Sequence, residues 1–222
     1  MSAPARFGRL ARAYRWMEYL SFGSYLQQCR RLCLQEMSGC RRALVYGDGD
    51  GRFLAELVRR VPQIQVAAVD ASGEMLARAA TRLPSNSHVR LLQADALAHE
   101  VAALPEAQFD LIVSHFFLDC FNEEELTTLL ARVNAAAKEG AIWVVSDFAI
   151  PPKSIARQAG RLIVSGLYLA FGLLTGLRTR RLPDHARVMH EAGWRLEDRR
   201  TLLLGLLVSE RWRRSLSSET EH

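Results

Sequence analysis

The sequence predicts an α/β fold: a doubly wound, mostly parallel seven-stranded sheet with a C-terminal antiparallel hairpin and N-terminal helices. Three observations predict it. Apolar strand-like runs alternate with amphipathic helical runs from residue 41 to 148, the signature of crossover connections between parallel strands. The first of those strands breaks into a loop with glycine at every second position, Gly47, Gly49 and Gly51. Beyond Gly193, two adjacent strand-like runs turn near Gly205 and place an antiparallel pair on the sheet edge.

In chain order, residues 5–37 read as helical, with Phe7, Leu10, Tyr14, Met17 and Leu20 on one apolar face and a break at Gly23. RRALVYG is the first strand and FLAELVRRV the helix after its loop. QVAAVD is a strand, and SGEMLARAATRL a helix opened by Ser72 and closed by Pro84 and Asn86. HVRLLQAD is a strand with a short helix expected after Asp95, and AQFDLIVSHFF a buried strand ending near Ser114. Asn122 followed by Glu125 is a capping box; the helix it starts is expected to run to Lys138 and stop at Gly140, before the strand AIWVVSDF. PDHARVMHEAGW is a helix closed by Gly193.

Composition bounds the function. Four cysteines, Cys29, Cys33, Cys40 and Cys120, form neither a redox pair nor a zinc spacing, so a reduced, cytoplasmic protein is expected. His185 and His190 are five apart and do not share a helix face, and no metal is expected. The net charge of +5 is concentrated in arginines near the two ends, without the aromatic interleaving of a nucleic-acid groove; a solvated surface is expected, and no nucleic-acid partner.

The glycine loop and Asp70 carry the chemistry. A strand that opens into a glycine turn lets a ligand approach the backbone, and an acid at the tip of the next strand can accept both hydroxyls of a ribose. A nucleoside-containing cofactor follows. The spacing G-x-G-x-G departs from the dinucleotide pattern G-x-G-x-x-G, and Asp48 and Asp50 put negative charge in the loop. That suits a ligand with a cationic ammonium or sulfonium group better than a pyrophosphate.

On these residues, 41–148 resembles the core of a class I S-adenosylmethionine-dependent methyltransferase. The resemblance implies that Gly47, Asp48, Gly49, Asp50 and Gly51 wrap the methionine portion of S-adenosyl-L-methionine and that Asp70 binds its ribose. It also implies that Ser72 and Met75 line the adenosine, and that Asp95 with Ala96, in QADA, reads the adenine amino group. AYRWMEYLSFG at 13–23 and LPDH at 182–185 are similar to the ubiquinone and menaquinone C-methyltransferase branch, in which N-terminal helices close over the cofactor; this implies a cofactor contact for Tyr14. The family places an acid where this chain has Val45, so Asp48 or Asp50 would supply that charge from the loop. The implied organisation is a helical cap, 1–40, and a Rossmann-like methyltransferase domain, 41–222, with an apolar helical insertion at about 152–182.

Methyl transfer from a sulfonium asks for alignment and exclusion of water, and no nucleophile–base triad is visible. The fourth strand ends in SHFFLDCF, without the Asn/Asp-Pro-Pro-Tyr signature of nucleobase amino-methyltransferases, which favours a carbon or oxygen acceptor. Ser114 is expected at the cofactor. His115 is either a general base or a histidine that only bonds nearby backbone. Asp119 either positions substrate or caps the loop before Asn122, and Phe116, Phe117 and Phe121 line an apolar pocket or pack in the core. Residues 162–177 are sixteen without a charge, flanked by arginines and shorter than the roughly 20 that span a bilayer. They read as a buried helix, or as a lid that admits an apolar substrate and touches a membrane surface. Two other functions fit parts of the pattern: a nicotinamide-dependent oxidoreductase, which the glycine spacing disfavours, and a non-catalytic S-adenosylmethionine-binding subunit.

Overall fold

A computed structural model describes residues 24–149 and 184–215. Tyr14, the segment 13–23 and the apolar run 162–177 lie outside the described residues. The described chain contains α1 (Tyr25–Arg31), β1 (Arg42–Tyr46), α2 (Arg52–Arg60), β2 (Gln65–Asp70), α3 (Gly73–Ala80), β3 (His88–Gln93), β4 (Phe109–His115), α4 (Glu123–Ala136), β5 (Ala137–Phe148), α5 (His185–Glu191), β6 (Trp194–Leu202) and β7 (Leu207–Arg214). The seven strands form one sheet in the order β3-β2-β1-β4-β5-β7-β6. β1 to β5 pair in parallel, and β7 runs antiparallel to both β5 and β6. The expected sheet and closing hairpin are both present.

Parallel strands are buried on both faces, which explains their continuous apolar runs. On one face Val45, Val66 and Val113 pack under α2 through Phe53, Leu54 and Leu57. On the other, Tyr46, Ile112, Trp143 and Trp212 pack under α4 and α5 through Leu126, Leu129, Leu130 and Met189. Trp143 and Trp194 meet edge to face at 5.2 Å, and the Trp194 indole donates to Asn134 Oδ1 at 2.8 Å, so the large apolar ring is buried without losing its hydrogen bond. Cys29 and Cys33 are small core residues, as expected.

The helix starts follow the sequence. Ser72 accepts the N–H of Met75, and Asn122 exchanges hydrogen bonds with Glu125 in a full capping box. Two boundaries differ. α4 ends at Ala136 and β5 begins at the next residue, so Gly140 sits inside a strand rather than ending a helix. Phe109 pairs with Ala137 and Leu111 with Ile142, so the extra residues of β5 bulge out, and Gly140 turns the bulge with φ +70°. No helix forms directly after Asp95; a short 3-10 turn follows at Val101–Ala103.

Candidate active site

The strand order reverses between β1 and β4, and the carboxyl ends of the strands there form the crevice in which this architecture binds ligands. The glycine loop leaves β1 at that point. Gly47, Gly49 and Gly51 all have positive φ, but each does different work. A β-carbon on Gly51 would stand 2.5 Å from Cα of Ala79, so this glycine lets α2 approach α3. A β-carbon on Gly47 would stand 2.7 Å from the ring of Phe117. A β-carbon on Gly49 would meet nothing within 4 Å. The loop therefore has one open flank, at Gly49.

Asp70 ends β2 beside that flank. Its Oδ1 accepts the N–H of Ser72 at 2.8 Å, and its carboxylate also takes the backbone N–H of Gly49. Burial pushes its pKa up against those two bonds, which stabilise the anion. Ser72 and Met75, at the start of α3, are half-buried next to it. After β3, Asp95 is exposed and accepts the N–H of Leu97 at 2.9 Å, while Ala96 is buried. Asp70 thus ends β2 beside the open side of Gly49, and Asp95 follows the end of β3.

The loop acids do not act together. Asp50 is bound by Arg52 Nε at 2.9 Å and Arg82 Nη2 at 3.0 Å, and its carbonyl accepts Arg82 Nε. Burial raises its pKa, but the two guanidiniums outweigh burial and hold it below the usual carboxylate range. The charge of Asp50, expected at the cofactor, is thus paired with Arg52 and Arg82. Asp48 turns under the loop, where Oδ2 accepts the N–H of Leu54 at 2.9 Å and caps α2. Burial pushes its pKa up to about 7, and Oδ1 has no hydrogen-bond partner.

At the end of β4, alternation sends Ser114 and His115 to opposite faces. Ser114, expected at the cofactor, is buried, and its Oγ accepts the indole N–H of Trp143 at 2.9 Å. His115 is 1% exposed and packs edge-on to Phe53 at 4.4 Å, with neither ring nitrogen bonded. Burial, then the neighbouring charge of Arg30, holds its pKa well below the ordinary imidazole value. The imidazole, expected either as a general base or as a partner of nearby backbone, is thus enclosed without a hydrogen bond. Phe116 adopts φ +53° directly after β4, and the turn sends successive rings apart. Phe116 joins Leu26, Cys29 and Leu207 beneath the Arg30 guanidinium, while Phe117 stacks on Tyr46 and meets Phe121 edge to face.

Asp119 is buried, and its backbone N–H donates to Asp147 Oδ2 at 3.2 Å. Asp147, the penultimate residue of β5, is the acid that sequence reading missed. Burial, then the nearby carboxylate of Asp119, pushes its pKa well above the usual range. An acid closing an otherwise apolar strand was the available signal. Arg30 has no comparable signal, because its place over Phe116 is set by how α1 packs on β7.

Residues 43–140 match the sequence family described as a methyltransferase domain. Over this stretch the chain is similar to that family. The chain is 37% identical over 113 residues to an uncharacterized methyltransferase of Mycobacterium tuberculosis, a match covering 51% of this chain and 53% of that protein. It thus spans about half the length of the curated relatives it matches. The fold is similar to an O-methyltransferase family protein from Burkholderia thailandensis, with a TM-score of 0.67 at 16% identity, covering 96% of this chain and 64% of that one. It is also similar to the 1,6-didemethyltoxoflavin-N1-methyltransferase of the same organism, solved with 1,6-didemethyltoxoflavin and S-adenosylhomocysteine. There the TM-score is 0.61 at 17% identity, covering 97% of this chain and 92% of that one. At this identity the domain shares with them its fold.

Proposed function

We propose that the protein transfers a methyl group from S-adenosylmethionine to an oxygen or carbon of a small apolar acceptor. The open flank of Gly49 facing Asp70 at the switch point carries this reading. A backbone with room at Gly49 and packing at Gly47 and Gly51 can admit a ligand chain at one place only. Asp70 still has lone pairs for ribose hydroxyls after accepting from Ser72 and Gly49, and Asp95 stands at the next strand tip for the base.

When bound, S-adenosylmethionine supplies an activated methyl group on a cationic sulfur. The protein's task is to align the acceptor and keep water out. Phe117 and Phe121, half-buried beside Gly47, give the acceptor side an apolar aromatic wall. The apolar composition of 162–177 suits a cover over such an acceptor and a peripheral contact with a membrane surface, and the likeness of 13–23 and 182–185 favours a quinone-like molecule. Among the described residues no helix is long and apolar enough to cross a membrane.

Thermal unfolding with S-adenosylhomocysteine and with NADH tests the cofactor. A ligand at 100 times its dissociation constant adds about 2.7 kcal/mol of stability, so S-adenosylhomocysteine raises the melting temperature by several degrees and NADH leaves it unchanged. A shift with NADH alone overturns the reading. Incubation with methyl-labelled S-adenosylmethionine and a lipid-plus-metabolite extract tests the acceptor: label passes into the organic phase, and label confined to water-soluble products overturns the apolar acceptor.

A further inference from the structure

Glu210, in the middle of β7, is a fully buried carboxylate, and such a charge persists only with fixed donors. It has three. His185 Nε2 lies 3.0 Å and the Trp212 indole N–H 2.9 Å from Oε2, and Arg199 Nε lies 3.3 Å from Oε1. Burial alone would raise its pKa; the hydrogen bond from His185, followed by the charge of Arg199 and the bond from Trp212, outweighs burial and keeps it anionic. Arg199 already balances the charge of Glu210, so neutralisation does not require His185.

The histidine is differently placed. Its ring keeps 14% of its surface accessible against 1% for Glu210. With Nε2 held by a fixed carboxylate, the proton of a neutral imidazole sits on Nε2, and Nδ1 keeps its lone pair. Among the described residues Nδ1 has no hydrogen bond. A base held in one tautomer by a buried acid is the arrangement that proton-accepting pairs share.

We propose that His185 and Glu210 form a proton-accepting dyad on the acceptor side of the site. The reaction that the dyad serves rests on the methyltransferase reading; the dyad itself rests on the geometry above. α5 runs back from the carboxyl end of the sheet, because β6, which follows it, lies parallel to β5. His185 opens α5 at that end. Glu210 pairs with Val145, two residues before Asp147, whose carboxylate touches the backbone of Asp119. At about 4.8 Å per strand, β7 stands roughly 10 Å from β4, within the span of a small aromatic acceptor.

For a hydroxyl acceptor, its oxygen forms the new bond to the methyl carbon while the carbon–sulfur bond breaks and leaves its electron pair on sulfur. The sulfonium becomes a neutral thioether. The hydroxyl proton passes to Nδ1, and the resulting imidazolium is stabilised by the Glu210 carboxylate. His185 touches the acceptor; Glu210 is a positioning residue that acts through it.

Nitrogen-15 NMR of the histidine-labelled full chain tests this without turnover. At pH 8 His185 shows the Nε2–H tautomer, and Glu210→Gln gives a mixture of tautomers. With S-adenosylhomocysteine present, 2-naphthol as a phenolic probe moves the Nδ1 resonance, and Glu210→Gln reduces that movement severalfold. If the wild-type ring carries its proton on Nδ1, or if Nδ1 ignores the probe, the dyad is overturned. Should S-adenosylhomocysteine fail to bind while the tautomer is as expected, the methyltransferase reading fails and the dyad's geometry stands. His185→Gln lowers kcat for methylation of 2-naphthol by about 10²–10⁴-fold and leaves S-adenosylhomocysteine affinity unchanged. Unchanged kcat in a folded variant overturns the proposal, and where that variant does not fold, the wild-type tautomer decides.

Discussion

Phe117 rests so closely on Gly47 that a β-carbon there would stand 2.7 Å from its Cδ2 atom, and this contact joins the start of the glycine loop to the turn after β4. The turn exists because Phe116 takes a left-handed conformation, which costs a non-glycine residue about 1–2 kcal/mol. Stacking of Phe117 on Tyr46 at 5.3 Å and its edge contact with Phe121 offset that cost. One strained residue thereby fixes an aromatic wall against the loop.

The three loop glycines are expected to respond differently to alanine. Gly51→Ala combines left-handed strain with a clash against the backbone of Ala79 and lowers stability by about 3 kcal/mol or more. Gly49→Ala meets only the strain, so the protein folds about 1–2 kcal/mol less stably and loses S-adenosylhomocysteine affinity through the filled flank. Calorimetric unfolding and binding titrations separate the two. Equal losses of stability with unchanged binding would show that the Gly49 flank is not the ligand path.

Asp70→Asn keeps an acceptor for the Ser72 N–H but removes the charge, and it is expected to weaken S-adenosylhomocysteine about 10–100-fold. Titration calorimetry reads this directly. A variant that binds like wild type would remove Asp70 from the ribose contact.

Strand ends, helix caps and the glycine loop were legible because their signals are local: a periodicity, a capping pair, a glycine at fixed spacing. The surroundings of Ser114, His115 and Asp50 were not. β4 is buried on both faces, so its composition does not say which side Ser114 takes, and only the position of Trp143 on β5 decides it. Asp50 is claimed by Arg82, which lies 32 residues away and meets the loop only after α2 and α3 pack together. Gly140 resembled a helix stop because a bulge glycine and a C-cap glycine carry the same backbone conformation.

Ser114→Ala strands the buried indole N–H of Trp143, which costs about 1–3 kcal/mol of stability. S-adenosylhomocysteine affinity is expected to stay within twofold of wild type. A clear drop in affinity without loss of stability would place Ser114 at the cofactor.

The pH dependence of stability tests the two buried groups that the fold leaves uncharged near neutrality. Asp48 has its pKa raised from 3.8 to about 7 by burial. Between those values the unfolded chain has lost the proton that the folded chain still holds. Each pH unit in this window therefore costs the folded state about 1.4 kcal/mol, and above pH 7 no further loss occurs. His115 acts in the opposite sense. Its depressed pKa makes stability full above the ordinary value of 6.5 and lost as pH falls below it, because only the unfolded chain then takes up a proton. Asp48→Asn keeps a carbonyl for the Leu54 N–H and abolishes its own slope. Its stability advantage over wild type is expected to grow from pH 4 to about 7 and then level off. His115→Asn is expected to gain on wild type as pH falls below 6.5. Urea unfolding of the three proteins at half-unit steps measures both slopes, and parallel curves for all three would mean that neither group is held uncharged in the folded protein.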